Sequence, residues 1–333
     1  MPVSGGGATT PAEPRRFSLG LQQFTSRYAL LGVWLLIAVT YAAITPDRFL
    51  RVATAKAIFG SQSVILFLAL ASLVTFVVGE FDLSFAGVMG LSATIVPVLT
   101  TLHHVNVWVS CVIAVLACIG AGSLNAVLIV GLRVPSLVVT LGSATLFLGI
   151  AELISSSNTV ALSHSSFYQI AIYSIGGLPL SFYYGLVLAL IFAYVMYWTP
   201  LGRHIAFVGA NRDVARLAGI HVNRIRAASY VIDSLIAGIG GILLVASAGG
   251  FDPTASSTYL LPALAAVFLG TAMVFPGQFN PIGTFLGIYF LETGVLGLQL
   301  LGYTGWVQDA FYGAGLVVAV TLATLAREHI NHA

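Results

Sequence analysis

Charge is scarce in this sequence. Lysine, arginine, aspartate and glutamate together make up 7% of 333 residues, against roughly 25% in ordinary soluble domains, so a water-soluble globular fold is excluded. Lysine is reduced to a single residue, Lys56, and no glycine-rich loop precedes it. The chain therefore lacks a G-x-x-x-x-G-K-[ST] phosphate loop and cannot supply a nucleotide site of that kind. Only two cysteines occur, Cys111 and Cys118, both in one apolar run. They read as small packing residues, and that pattern supports neither a disulfide framework nor a metal site. With no nucleophile elbow and no zinc helix motif, no catalytic, cofactor-binding or metal-ligating residue is assigned. The net charge of +2 carries no signal for nucleic acid.

What the chain has is apolar length. Apolar residues fill 58% of positions and mean hydropathy is +0.99. The 35 glycines suit a helical bundle in which small residues let backbones approach. Runs of the roughly 20 residues that a membrane helix needs recur near 28–45, 58–79, 83–101, 107–130, 135–155, 181–198, 228–248, 258–275, 282–301 and 305–326. This predicts an all-α polytopic membrane protein with about ten transmembrane helices over 28–326. The second and third runs are separated only by Gly79-Glu80-Phe81-Asp82, so a broken or re-entrant segment is expected there. Residues 1–27, rich in Gly, Pro and Thr, read as a disordered cytoplasmic tail, and 327–333 as a short C-terminal tail. Arg15-Arg16-Phe17 has the look of a twin-arginine export signal, but no small-residue cleavage site follows and further spans do, so the first run is read as an anchor. Placing both termini inside puts ten of the thirteen basic residues in the cytoplasm, leaving Arg48, Arg51 and Lys56 outside, as the positive-inside bias favours. The polar, aromatic segment 156–180, with Tyr168 and Tyr173, then faces the exterior, where a short amphipathic helix fits.

The basic residues concentrate in an island, Thr199 to Arg226. It holds Arg203, Arg212, Arg216, Arg224 and Arg226 against one acid, Asp213. Lipid does not accept that density of charge, and a polar loop this long is usually functional. Asn211 is a good N-cap and Gly219 is placed to end a helix in the left-handed conformation. The helix between them would carry a small-residue face, Ala215 and Gly219, beside a charged face, Arg212 and Arg216. Two readings stand: a docking surface for a partner, or a basic loop held near lipid headgroups.

Ionisable residues inside spans are expensive and usually functional. Glu80 and Asp82 lie beside Ser84 at the break, either as a gate on a translocation path or with Asp82 capping the third span. Glu292 sits near the middle of its span, expected to face a cavity or an interface. Asp233, near the cytoplasmic end, would pair with an island arginine. Asn125 and Thr140 would hydrogen-bond either a polyol or each other across helices.

Four collinear stretches carry a family resemblance. Gly209-Ala210-Asn211-Arg212-Asp213-Val214-Ala215-Arg216-Leu217-Ala218-Gly219-Ile220-His221-Val222 resembles the cytoplasmic coupling segment of the ribose-type permeases of bacterial binding-protein-dependent ABC importers. Gly79-Glu80-Phe81-Asp82-Leu83-Ser84 resembles that family's Gly-Gly-Ile-Asp-Leu-Ser signature. Asn125 with Val134-Pro135-Ser136-Leu137-Val138-Val139-Thr140-Leu141-Gly142 resembles its Asn and Pro-Pro-Phe-Ile-Val-Thr-Leu-Gly stretch. Gly283-Thr284, Gly287 and Gly297-Leu298-Gln299-Leu300-Leu301-Gly302 resemble its late glycine-rich spans. The chain departs from the pattern at Glu80, where glycine is usual, at Val214, where alanine is usual, and at Leu260 and Pro262, which replace polar or acidic positions.

The resemblance implies a type II ABC importer-like permease fold in the bacterial cytoplasmic membrane. It also implies a permease subunit for a monosaccharide or related polyol. Its partners would be a second permease copy or a paralogue, separate ABC ATPase subunits that use the ATP, and a periplasmic or lipid-anchored sugar-binding protein. Asn211, Arg212, Asp213, Ala215, Arg216, Gly219 and Ile220 would engage the ATPase. Glu80, Asp82, Ser84, Asn125, Thr140 and Glu292 would line the path or gate. Within the superfamily the alternatives are nucleosides, a signalling furanose or amino acids. Outside it they are a proton-coupled secondary transporter using Glu80, Asp82 or Glu292, and a membrane scaffold that carries no solute.

Overall fold

The computed structural model describes residues 16–162 and 166–331, with side chains from 30 to 321 outside that gap. The first fifteen residues of the expected N-terminal tail lie outside the described residues. The rest of that tail is helical, not disordered: α1 runs over Arg16–Ile44. No proline occurs between Pro14 and Pro46, so a helix nucleated by the span propagates backwards at little cost. Most of the expected C-terminal tail is likewise helix, because α15 covers Trp306–Asn331.

The remaining helices follow the predicted order. They are α2 (Pro46–Phe49), α3 (Val52–Ser61), α4 (Ser63–Val77), α5 (Phe85–Pro97), α6 (Val107–Ala126), α7 (Ser136–Ser155), α8 (Gln169–Ile172) and α9 (Leu180–Trp198). After these come α10 (Pro200–Ala210), α11 (Arg212–Leu217), α12 (Val222–Ala248), α13 (Leu260–Gly270) and α14 (Pro281–Leu300). α5 and α6 are prolonged by wider π turns at Val98–Leu102 and Val127–Gly131. Helix stands at each of the ten predicted spans. Seven segments among the described residues are long and apolar enough to cross a membrane.

Three predicted boundaries are corrected. The second span is α3 and α4 in sequence, starting at Val52 and interrupted at Gln62 (φ −93°, ψ 9°). The eighth is not a helix over 258–275: α13 ends at Gly270, after a 3-10 turn at Pro253–Tyr259. It stops there because Asn280 Nδ2 donates to the Gly270 carbonyl (3.0 Å) and to that of Met273 (3.3 Å). A Cβ on Gly270 would also lie 2.5 Å from the Thr284 nitrogen, so the chain turns back against α14. Finally, the basic island is not a loop. α10 and α11 occupy most of it, and α12 begins inside it at Val222.

Among the described residues, strands are confined to short pairs. β1 (Val160–Ala161) and β4 (Gly250–Phe251) pair antiparallel, with Val160 opposite Phe251. β2 (Ser174–Ile175) and β3 (Leu178–Pro179) form a hairpin. Its turn uses Gly176 and Gly177, both at positive φ. The 156–180 segment thus holds one turn of helix, α8, and this hairpin.

α12 is the centre of the bundle, packed on α4, α5 and α6. Its small residues make that possible: a Cβ on Gly241 would lie 2.4 Å from the Met89 carbonyl oxygen, and one on Gly238 2.7 Å from Cys118 Sγ. Leu68, Met89 and Val245 are fully enclosed in this packing. In a bilayer, such close packing supplies the association energy that a water-driven core cannot.

Candidate coupling site and buried polar cluster

Two elements meet at one end of the bundle: the former island and the break after α4. α10 begins on a Thr-Pro pair. Thr199 Oγ1 accepts from the Gly202 amide (3.2 Å) and Pro200 takes the first helical position, where its missing N–H costs nothing. α10 ends at Gly209-Ala210 directly against the end of α4. A Cβ on Gly209 would lie 1.9 Å from the Val77 carbonyl oxygen, so only glycine fits this crossing. Asn211 then caps α11 as expected, its Oδ1 accepting from the amides of Asp213 (3.0 Å) and Val214 (3.1 Å). Gly219 closes the segment at φ +81°, a conformation that costs other residues roughly 1–2 kcal/mol.

α11 presents a different face from the one expected. Ala215 is fully buried and packs with Val78, Val208 and Val222, with Ile220 at the edge of that cluster. It anchors α11 to its own bundle and offers nothing to a partner. Val208 comes from α10, Ala215 from α11 and Val222 from the start of α12, and the turns at Asn211 and Gly219 fold the three together over Val78. The outward surface is Asp213, Val214, Arg216, Leu217, Ala218 and Gly219. Leu217 is 89% exposed and Val214 46%, while Arg216 Nη1 pairs with Asp213 Oδ1 at 3.2 Å.

The break itself, residues 78–84, leaves α4 through a turn at Val78 and Gly79, the latter at φ +77°, and its burial then alternates along the chain. Val78, Glu80, Asp82 and Ser84 are buried, whereas Gly79 and Phe81 are exposed. Irregular backbone at this depth survives only where protein covers it, and α12 provides the cover. Arg226, Tyr230 and Asp233 on α12 fall at i, i+4 and i+7, one stripe of a helix, and each meets a polar group of the break. Arg226 Nε donates to Glu80 Oε1, and the Tyr230 hydroxyl donates to Glu80 Oε2 at 3.0 Å. The carboxyl groups of Asp233 and Asp82 lie within hydrogen-bonding distance of each other. Asp233 therefore does not pair with an island arginine, because the nearest guanidinium on its stripe is already held by Glu80.

Arg212, the first residue of α11, ties the two elements together. Its Nη2 reaches Glu80 Oε1 at 2.8 Å and the Gly79 carbonyl oxygen at 2.7 Å. The carboxylate at position 80 is thus neutralised by two arginines, one on the coupling segment and one on the central helix. Asp82 Oδ1 accepts from the Ser84 amide (2.7 Å) and hydroxyl (2.6 Å), holding the turn into α5. Asn125 Nδ2 donates to Ser84 Oγ at 2.9 Å. Thr140 is buried with no partner for its hydroxyl among the described residues, so Asn125 and Thr140 do not bond each other.

Glu292 belongs to a separate site. It is half-buried at the twelfth of the twenty residues of α14, and none of the ion pairs among the described residues includes it. Ser61 Oγ donates to its Oε1 at 3.4 Å, and Gln62 and Tyr312 lie beside it. Ser61 and Gln62 stand at the interruption between α3 and α4. Discontinuous helices near the bilayer midplane commonly form transporter binding sites.

A family profile described as branched-chain amino acid transport system / permease component matches residues 55–320. The chain belongs to this permease family. Among curated relatives, the L-arabinose ABC transporter permease protein of Azospirillum brasilense is 27% identical over 92% of this chain and 90% of its own. The autoinducer 2 import system permease protein of Salmonella typhi is 29% identical over 82% and 78% respectively. The D-allose transport system permease protein of Escherichia coli is 25% identical over 94% and 96%. No solved structure matches. The permease is accordingly the multi-pass membrane component of an ABC-type import system in the bacterial cytoplasmic membrane, a transport subunit and not an enzyme.

Ser61, Gln62 and Tyr230 escaped the sequence reading, and Gly209, Leu217 and Arg226 appear in it only as members of the island, without the contacts they make. The roles of Arg226 and Tyr230 could have been found. With Asp233 they form a polar stripe on an otherwise apolar helix, and such a stripe has to face polar groups.

Proposed function

We propose that this permease forms the translocation pathway for a monosaccharide or a closely related polyol, as one of two permease subunits. A solute-binding protein delivers the substrate from outside and a separate ATPase drives the cycle; the permease binds no cofactor and no nucleotide itself. The arabinose, allose and autoinducer 2 permeases among its relatives support a small polyhydroxylated substrate over the branched-chain amino acids of the family's description. The observation that carries the coupling role is the two-sided build of α11. Its inner side is pinned by Ala215 and by Arg212 to the break, while Leu217 is 89% exposed on its outer side. A force applied at Leu217 passes through Arg212 to Glu80, and from Glu80 to Arg226 on the central helix. ATP-driven motion can bias the permease only if the ATPase contacts differ in strength between its two states. That short path gives those contacts something to move.

Glu292, with Ser61 and Gln62, is the best-placed polyol contact. A carboxylate and an amide can each bridge neighbouring hydroxyl groups, and mid-span is where such a station serves both sides. Glu80 is not a proton relay in this reading, since both its carboxyl oxygens are taken by Arg212, Arg226 and Tyr230. The test is uptake of labelled pentoses and hexoses into proteoliposomes holding the permease, its ATPase and its binding protein. ATP-dependent uptake of a sugar that persists with an ionophore supports the reading. Uptake abolished by the ionophore while ATP remains high would instead support a proton-coupled carrier.

A further inference from the structure

Seven buried side-chain oxygens lack a hydrogen-bond partner among the described residues, and four of them belong to neighbouring residues: Asp82 Oδ2, Asp233 Oδ1, Asn125 Oδ1 and Ser234 Oγ. All four residues are completely enclosed. The bonds that do form define the spot. Asp82 Oδ1 is occupied by Ser84, and Asp233 Oδ2 accepts from Thr75 Oγ1 at 3.4 Å. The single hydroxyl proton of Ser84 is committed to Asp82, so Ser84 can only accept from Asn125. That fixes the Asn125 amide and leaves its Oδ1 without a donor. Gly122, one turn earlier on α6, packs against Ser234: a Cβ there would lie 2.8 Å from Ser234 Oγ. The break, α6 and α12 thus present three unpaired acceptor oxygens, on Asp82, Asn125 and Asp233, and among these four groups only the Ser234 hydroxyl has a proton to offer them.

Charge points the same way. Glu80 with Arg212 and Arg226 leaves one positive charge beside the cluster. Two ionised aspartates would overbalance it by one negative charge in a medium that scarcely tolerates any. One added positive charge restores neutrality, and a divalent ion would overshoot. The other titratable groups facing the pair are Glu80 from the break, Tyr230 and Arg226 from α12, and Arg212 from α11. α4, α5 and α7 contribute only neutral groups here, as does α6 apart from Cys118 further along it. Arg203 and His204 on α10 are exposed.

We propose that Asp82 and Asp233 form a buried site for one monovalent cation, a proton or Na+, completed by the oxygens of Asn125 and Ser234. The occupant bridges the break to the central helix, so the site is part of what holds α4, α5, α6 and α12 in register. Because Arg212 adds positive charge nearby, cation binding and the docking of α11 oppose each other, and the opposition is reciprocal. The site follows from packing and charge and stands apart from any choice of transported substrate.

The test uses the full chain purified in mild detergent. Its Tm is followed while Na+ replaces choline at constant ionic strength, at mildly acidic and mildly alkaline pH, for the native chain, Asp82→Asn, Asp233→Asn and Arg212→Gln. A saturating rise in Tm with Na+, lost in Asp233→Asn and reached at lower Na+ in Arg212→Gln, identifies Na+ as occupant. A fall in Tm with rising pH that ignores Na+ and is lost in Asp233→Asn identifies a proton. A native Tm indifferent to both, or a dependence that survives in both aspartate variants, overturns the proposal. Should the variants fail to fold, radioactive sodium binding and the infrared carboxylic-acid band of the native chain decide. A chain with neither bound sodium nor a protonated carboxyl refutes the site.

Discussion

Replacing Glu80 by glutamine isolates the central ion cluster with minimal change in shape. The carboxylate side chain is 4% exposed and holds Arg226, whose side chain is 13% exposed, and Arg212, whose side chain is 36% exposed. Removing one partner of a buried pair strands the other charge, at roughly 3–5 kcal/mol. A pair that is largely solvated is worth about 0–1 kcal/mol. The Arg226 interaction should therefore dominate. Glu80→Gln is expected to lose about 3 kcal/mol, and the Tyr230 hydroxyl keeps an acceptor in the new amide. Double-mutant cycles separate the two arginines. Coupling between positions 80 and 226 should be about 2–3 kcal/mol, and between 80 and 212 below about 1 kcal/mol. The assay is reversible unfolding of the purified permease in mixed detergent and dodecyl sulfate micelles, followed by tryptophan fluorescence. A loss under about 0.5 kcal/mol, the level of a bland surface change, would refute the reasoning, as would equal couplings for the two arginines.

Further variants address the other contacts. Gly209→Ala places a methyl group 1.9 Å from the Val77 carbonyl, so α10 must lift from α4; the expected cost is about 1–3 kcal/mol, with stimulated ATPase activity lost in the reconstituted complex. Gly241→Ala, 2.4 Å from the Met89 carbonyl, should lower stability by a similar amount, about 1–3 kcal/mol, without specifically uncoupling ATP hydrolysis from transport. Glu292→Gln should raise the KM for sugar uptake several-fold while leaving ATPase stimulation by the loaded binding protein near native; an unchanged KM would remove Glu292 from the path.

Most spans were legible because they are apolar runs of membrane-spanning length; the second, interrupted at Gln62, and the eighth, which ends at Gly270, were legible only in position. The caps of α11 were equally legible, since Asn211 and Gly219 act through their own backbone neighbours. Sequence distance hid the rest. Whether Ala215 faces a partner or its own bundle depends on Val78 and Val208, which the chain brings to it from other elements. Asp233 was assigned to an arginine because the island lies near it in sequence, whereas its actual neighbour, Asp82, is 151 positions away. α10 was signalled by Thr199-Pro200, a helix start that the surrounding arginines obscured. The early end of α13 had no local cue, because Asn280 imposes it from the far side of the turn. Glu80, the clearest departure from the family pattern, is accommodated by Arg212 and Arg226, whose convergence on one carboxylate only the folded chain reveals.

The central claim is that the outward face of α11 receives a separate ATPase. The most direct test compares the native permease with Leu217→Asp, each purified from its own membrane in mild detergent and scored for a co-purifying ATPase. Leu217 is 89% exposed, so the substitution should leave stability within about 0.5 kcal/mol of native. The account predicts an ATPase retained by the native chain and lost by an equally folded variant. An ATPase held equally by both, or absent from the native chain even after cross-linking in intact membranes, would contradict it.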